Sequence, residues 1–121
     1  MKSENKKHST VATLSMVRSS VYKASKIANL IRGLSVNDAM LQLTFSKVRL
    51  SIQLKDLLKS CIANAENNHN MDISTLYIKD VCVGKNSNCL KRFMPRGRGR
   101  ASMIEKHFVR ISIILSNRFI N

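Results

Sequence analysis

Cys89–Ala101 reads CLKRFMPRGRGRA. Five of these residues are cationic (Lys91, Arg92, Arg96, Arg98 and Arg100) and none is acidic. The stretch holds the chain's only proline, Pro95, and two of its four glycines, Gly97 and Gly99. Proline fixes φ and glycine frees it, so the two together mark a turn. Apolar, strand-forming sequence lies on both sides: LYIKDVCVG (Leu76 to Gly84) before it and FVRISIIL (Phe108 to Leu115) after it. The pattern predicts a β-hairpin over about 76–116 with an arginine-coated tip at 94–101. Alternation supports the second strand. Val109, Ile111, Ile113 and Leu115 share one face, while Arg110, Ser112 and Ser116 share the other.

The hairpin is long for the chain that carries it. Fully extended, Leu76 to Pro95 would span roughly 60 Å at ~3.3 Å per residue. A compact body made of the rest would be only about 30 Å across. The tip of a continuous hairpin must therefore stand clear of the body. An isolated two-stranded ribbon is only marginally stable in water. A partner is needed to hold it, and the cations at the tip require that partner to be anionic. The competing reading is a solvated basic loop.

Composition agrees with an anionic partner. The 121 residues suffice for one domain over 1–121, with a globular part at about 10–84 and 104–116. Lys and Arg number 21 against 7 acids, giving +14 and a pI near 10.4. That excess points to nucleic acid or another anionic surface. With no Trp, two Tyr and four Phe, the chain is poorly equipped to stack on single strands. Phosphate contact needs only charge and reach. No apolar run reaches transmembrane length, and the N-terminus has no apolar signal core.

The remainder reads as three helices and a strand. Thr10–Val17 (TVATLSMV) alternates as a strand. In RSSVYKASKIANLIRGLS, Val21, Ala24, Ile27, Ala28 and Ile31 fall at helical spacing, with Ser19 or Ser20 as N-cap and Gly33 as the stop. Ser35 and Asp38 resemble a capping box for a second helix running to Leu43. Ser46 caps a third helix to about Asn67, with a stripe of Leu50, Leu54, Leu57, Leu58, Cys61, Ile62 and Ala65. The expected fold class is α+β: three helices packed on a small three-stranded antiparallel sheet, with a long protruding β-hairpin.

Chemistry that would make an enzyme is missing. The three histidines (His8, His69 and His107) are scattered and the seven acids stand singly. No nucleophile-elbow, zinc-helix or phosphate-loop pattern is present. Cys61, Cys82 and Cys89 lie 21 and 7 residues apart, so no pair has zinc-ligand spacing. Cys61 and Cys82 read as small core hydrophobes. No catalytic residue, metal or cofactor is expected.

Four blocks, in order and in register, carry a resemblance. LLKSCIANAENNH (Leu57 to His69) is similar to the LLKSAIANAEHN signature of the large-subunit ribosomal protein L twenty-two family. IRG (Ile31 to Gly33) closes the first helix as in that family. DISTLYIKDV (Asp72 to Val81) resembles its D-x-x-x-L-Y-V-K strand, and KRFMPRGRGRA (Lys91 to Ala101) its KR-x-x-PRARGRA tip, with Gly97 in place of alanine. The family's SPRKAR is Ser20 to Ser25 here, where only Lys23 matches in charge. Its VDEGP turn is replaced by Val83 to Asn88, one residue longer, and its SHI histidine by Arg110.

The resemblance implies a structural component of the large ribosomal subunit, in cytoplasmic or organellar ribosomes. It would bind large-subunit rRNA, aid its assembly and contact neighbouring ribosomal proteins. The implied rRNA-binding residues are Arg18, Lys23, Arg32, Lys91, Arg92, Arg96, Arg98, Arg100, Lys106 and Arg110. The implied tunnel tip, against the nascent peptide, is Met94, Pro95, Arg96, Gly97 and Arg98. The alternative is a free-standing basic nucleic-acid-binding regulator, which calls for a groove-reading helix or dimer symmetry. A membrane-active chain is disfavoured by the lack of aromatic anchors.

Overall fold

The computed structural model describes residues 9–117. Its elements, in chain order, are β1 (Ser9–Arg18), α1 (Val21–Ile31), α2 (Val36–Phe45), α3 (Leu50–His69), β2 (Leu76–Pro95) and β3 (Ala101–Asn117). Short 3-10 turns lie at Ile73–Thr75 and Gly97–Gly99. The strands form one antiparallel sheet in the order β1-β3-β2. The α+β architecture expected from the sequence is the one observed.

β3 is the centre of the sheet because it supplies the longest strictly alternating apolar face. Val109, Ile111, Ile113 and Leu115 are all fully buried. The helices lie against that face, α3 on β1 and β3, and α1 on β2. The opposite face carries the exposed Val11, Thr13, Cys82 and Arg110. Burial of each large aliphatic side chain contributes roughly 1.5–3 kcal/mol, so β3 and the α3 stripe anchor the body.

Every irregularity in the sheet is an extra residue on a partner of β3. β1 gains one between Leu14 and Val17, β2 gains one between Ile78 and Asp80, and β2 gains two between Lys85 and Cys89. A single extra residue reverses which side chains face inward. Strict alternation from Leu76 and Ile78 would bury Asp80 and Cys82. The bulge instead buries Val81 and half-buries Val83, and Cys82 is exposed. The expected core role of Cys82 is therefore wrong, because two valines displace one acid and one thiol from the core face. The bulge in β1 likewise turns Met16 out and buries Val17.

The helix starts follow local polar groups. Ser20 Oγ accepts from the Lys23 backbone N–H at 3.4 Å and Ser35 Oγ from that of Asp38 at 3.2 Å, satisfying first-turn donors. Ser46 does not cap α3, which begins later, at Leu50. Ser46 closes α2 and accepts from the Val48 N–H at 3.4 Å, shaping the turn between the two helices. Asn70 ends α3 in the left-handed conformation, where asparagine is favoured over most residues. Gly33, at φ 82°, turns the chain after α1 and donates to the Ile78 carbonyl at 2.9 Å. Residues 33–35 thereby cover part of the β2 edge, where Ser35 and Tyr77 also pair.

Candidate nucleic-acid interface

β1 pairs with β3 only as far as Arg18 and Phe108. Beyond that point β2 and β3 continue as a two-stranded ribbon, paired from Cys89–His107 to Pro95–Ala101. Every residue from Leu90 to Lys106 is exposed. Cross-strand partners share a face, so Lys91 lies with Glu105 and Phe93 with Met103 on one side. Leu90 with Lys106, Arg92 with Ile104, and Met94 with Ser102 occupy the other. Residues 89–107 carry six Lys or Arg against one acid, Glu105, a balance of +5. Interleaved with them are exposed apolar groups, including Phe93 at 76% exposure and Met103 at 50%. Apolar surface and positive charge on one unsupported ribbon suit a partner that offers phosphates together with base or ribose faces.

The tip is closed by the backbone. The Arg96 N–H donates to the Arg100 carbonyl at 2.7 Å, and the Arg100 N–H to the Gly97 carbonyl at 3.4 Å. Arg98 (φ 61°) and Gly99 (φ 70°) adopt left-handed conformations. Arg98 thus stands at the apex, between Arg96 and Arg100. Arg96 is partly held, its Nε donating to Ser102 Oγ at 3.2 Å. Arg92 donates to the Lys91 carbonyl at 2.8 Å.

On the body, Arg18 and Lys23 line a concavity of about 490 Å³ with Arg49, Ser20 and Gln53. The first turns of α1 and α3 both border it, so the positive ends of the two helix dipoles add to the field. Arg49 was missed in the sequence because it lies thirty-one residues beyond Arg18 and only folding brings them together. Arg18 also donates to the His107 carbonyl at 3.1 Å, at the root of the ribbon. Arg110 is exposed on the open sheet face opposite Gly84. Arg32 differs from the other cations. Its guanidinium pairs with Asp80 at 2.7 Å and donates to the Val81 carbonyl at 2.7 Å and to Asn29 Oδ1 at 2.8 Å. Those contacts turn it inward, toward α1 and β2.

A family model described as Ribosomal protein L22p/L17e matches residues 12–116. The chain belongs to that family. It is 46% identical over 110 residues to the large ribosomal subunit protein uL22 of Orientia tsutsugamushi, covering 91% of this chain and 94% of the relative. It is 45% identical over 105 residues to uL22 of Rhizorhabdus wittichii, covering 87% and 82%. With uL22 of Brucella suis it shares 48% over 99 residues, covering 82% and 76%.

Two departures from the L22p/L17e pattern have structural readings. A side chain at Gly97 would meet nothing within 4 Å, and its φ is not positive, so the family's alanine would fit there. The altered turn at Val83 to Asn88 is the two-residue slip between Lys85 and Cys89. Asn86 stabilises it, donating from Nδ2 to the Ser15 carbonyl at 2.9 Å and accepting from the Asn88 N–H at 3.2 Å. The slip also brings together Cys89, Glu105 and His107, whose potential ligand atoms lie within 4.8 Å of one another. Sequence spacing could not reveal that group, since only the hairpin register sets Cys89 against His107. Among the described residues, no helix is long and apolar enough to cross a membrane.

Proposed function

We propose that the chain is a structural, non-enzymatic constituent of the large ribosomal subunit that binds large-subunit rRNA through its ribbon and basic concavity. The observation that carries this reading is the bare two-stranded ribbon, with its +5 balance and its exposed apolar groups. Lys91, Arg92, Arg96, Arg100 and Lys106 grip phosphates along the ribbon, and Arg18, Lys23, Arg49 and Arg110 do so from the body. Arginine forks suit bidentate phosphate contact. Arg32 serves the fold before it serves the RNA. Neighbouring ribosomal proteins complete the surroundings of the body, and the protein resides with cytoplasmic ribosomes. The tip, Met94 to Arg98, meets the nascent peptide, with Arg98 at the apex as the residue that faces it.

The test is the salt dependence of binding to large-subunit rRNA. Each phosphate neutralised contributes about 0.7–0.9 to the slope of log K against log salt. Arg92→Ala and Lys106→Ala should each flatten the slope by that amount, and unchanged slopes would remove the ribbon from the interface. For the tip, a photocrosslinker at Arg98 should capture nascent chains in translating ribosomes. Failure to capture any would confine the tip to RNA contact.

A further inference from the structure

Cys89 and His107 face each other across the first pair of the free ribbon, with Cys89 Sγ 3.7 Å from His107 Nδ1. The other imidazole nitrogen, Nε2, lies 3.4 Å from Glu105 Oε2. Thiol, imidazole and carboxylate therefore stand in line, each of the two ring nitrogens with its own partner. They border a cleft of about 420 Å³ whose walls also include Lys85, Asn86, Ser87 and Lys91. A nucleophile within reach of a base, the base oriented by a third group, is the geometry of assisted nucleophilic attack. We propose that Cys89 is a covalent modification site that reacts with small anionic disulfides, with His107 as its base and Glu105 as the positioning residue of that base.

The groups around the thiol favour this chemistry over metal binding. One potential ligand atom from each of Cys89, Glu105 and His107 lies within 4.8 Å of the others, so the charge around them, and not the ligand count, decides against a cation. Lys85 and Lys91 both line the cleft, and their positive charge disfavours a cation while attracting a carboxylate-bearing reagent. From β1, Arg18 bonds the His107 carbonyl and adds charge of the same sign. The thiol also lies 3.8 Å from the Leu90 carbonyl.

The step balances as a thiol–disulfide exchange. The S–H proton passes to Nδ1 while Nε2–H donates to Glu105. The sulfur's electron pair then attacks one sulfur of the reagent, forming a new S–S bond as the old one breaks. The departing half leaves as a thiolate and takes the proton from the imidazolium. Cys89 is oxidised to a mixed disulfide and the leaving half is reduced to a thiol.

The other two cysteines are built-in controls. Cys61 is fully buried and Cys82 is exposed, with its Sγ 3.9 Å from the Asp80 carboxylate. The full chain, free of RNA and with chelator present, is treated with dithiobis(nitrobenzoate), and the released thiolate is followed by absorbance. Cys89 should react at least about ten-fold faster than Cys82, assigned with Cys82→Ser and Cys89→Ser. His107→Ala and His107→Gln should both bring Cys89 down toward the Cys82 rate. Continued protection of Cys61 reports that each variant is folded. Lys91→Ala should slow this anionic reagent and leave neutral iodoacetamide unaffected. Glu105→Gln, which still accepts from Nε2, should retain the rate that Glu105→Leu loses. Equal rates at Cys89 and Cys82, or a Cys89 rate indifferent to His107, would overturn the proposal.

Discussion

The Arg32 guanidinium is 2.7 Å from the Asp80 carboxylate and, through a second nitrogen, 2.7 Å from the Val81 carbonyl. It fastens the end of α1 to the point where β2 bulges. The two side chains are 45% and 47% exposed, so the charge pair itself contributes little, and the main-chain hydrogen bond and the fork geometry supply most of the effect. Arg32→Ala should lower stability by about 1 kcal/mol in denaturant melts. Arg32→Lys should recover less than half of that, because a point charge cannot serve three acceptors in a plane. Full recovery by lysine would mean that only the charge matters.

Gly99 and Gly97 should respond differently to a methyl group. Gly99 has φ 70°, which costs a non-glycine residue about 1–2 kcal/mol. Gly99→Ala should speed hydrogen exchange of the Arg96 amide, whose bond to the Arg100 carbonyl closes the tip. Gly97→Ala should leave that exchange rate unchanged, since the added carbon meets nothing. Equal effects would show that the tip turn is not the one described.

The two slips on either side of β3 are tied together. Asn86 on β2 donates to Ser15, within the irregular stretch of β1. Asn86→Ala should cost about 1 kcal/mol and lower the melting midpoint by roughly 4 °C. Scanning calorimetry measures this, and a midpoint within error of the parent would show that the bond is not formed in solution.

Burial pushes the Cys61 thiol up from 9.0 to about 11, although backbone hydrogen bonds pull the other way. The folded state then holds the proton more tightly than the unfolded state. The stability this represents is fully present below pH 9 and is lost as pH rises toward 11. That rise corresponds to about 2–3 kcal/mol. Lysines and tyrosines titrate in the same window, so the measure is a difference. Cys61→Val should lose about that much less stability than the parent between those limits in urea melts. Parallel curves would sink the assignment.

Deleting Met94 to Arg96 should leave the body intact, because none of the three is buried. The melting midpoint should stay within about 2 °C of the parent, while ribosomes carrying the deletion should respond differently to tunnel-binding drugs and stalling peptides. Parent-like responses would refute the tunnel placement of the tip.

Much of the fold was legible in the local pattern. The four-residue apolar face of β3, the serines that start α1 and α2, and the proline–glycine turn each act through neighbours in sequence. So did the charge: +14 on 121 residues points to an anionic partner whatever the fold. The ordered blocks from IRG to PRGRGRA named the family without a coordinate. Other features belong to the folded chain alone. Whether Cys82 or Val81 faces the core depends on one extra residue in β2. The energy that decides this is burial against helices far away in sequence, and alternation does not encode it. Arg32 read as one more exposed cation until Asp80 and Val81 arrived from β2. Cys89 and His107, eighteen residues apart, meet only because β2 slips by two residues between Lys85 and Cys89. Pattern fixes what a residue can do within its own element, whereas register fixes what it meets, and register is set by the whole core at once.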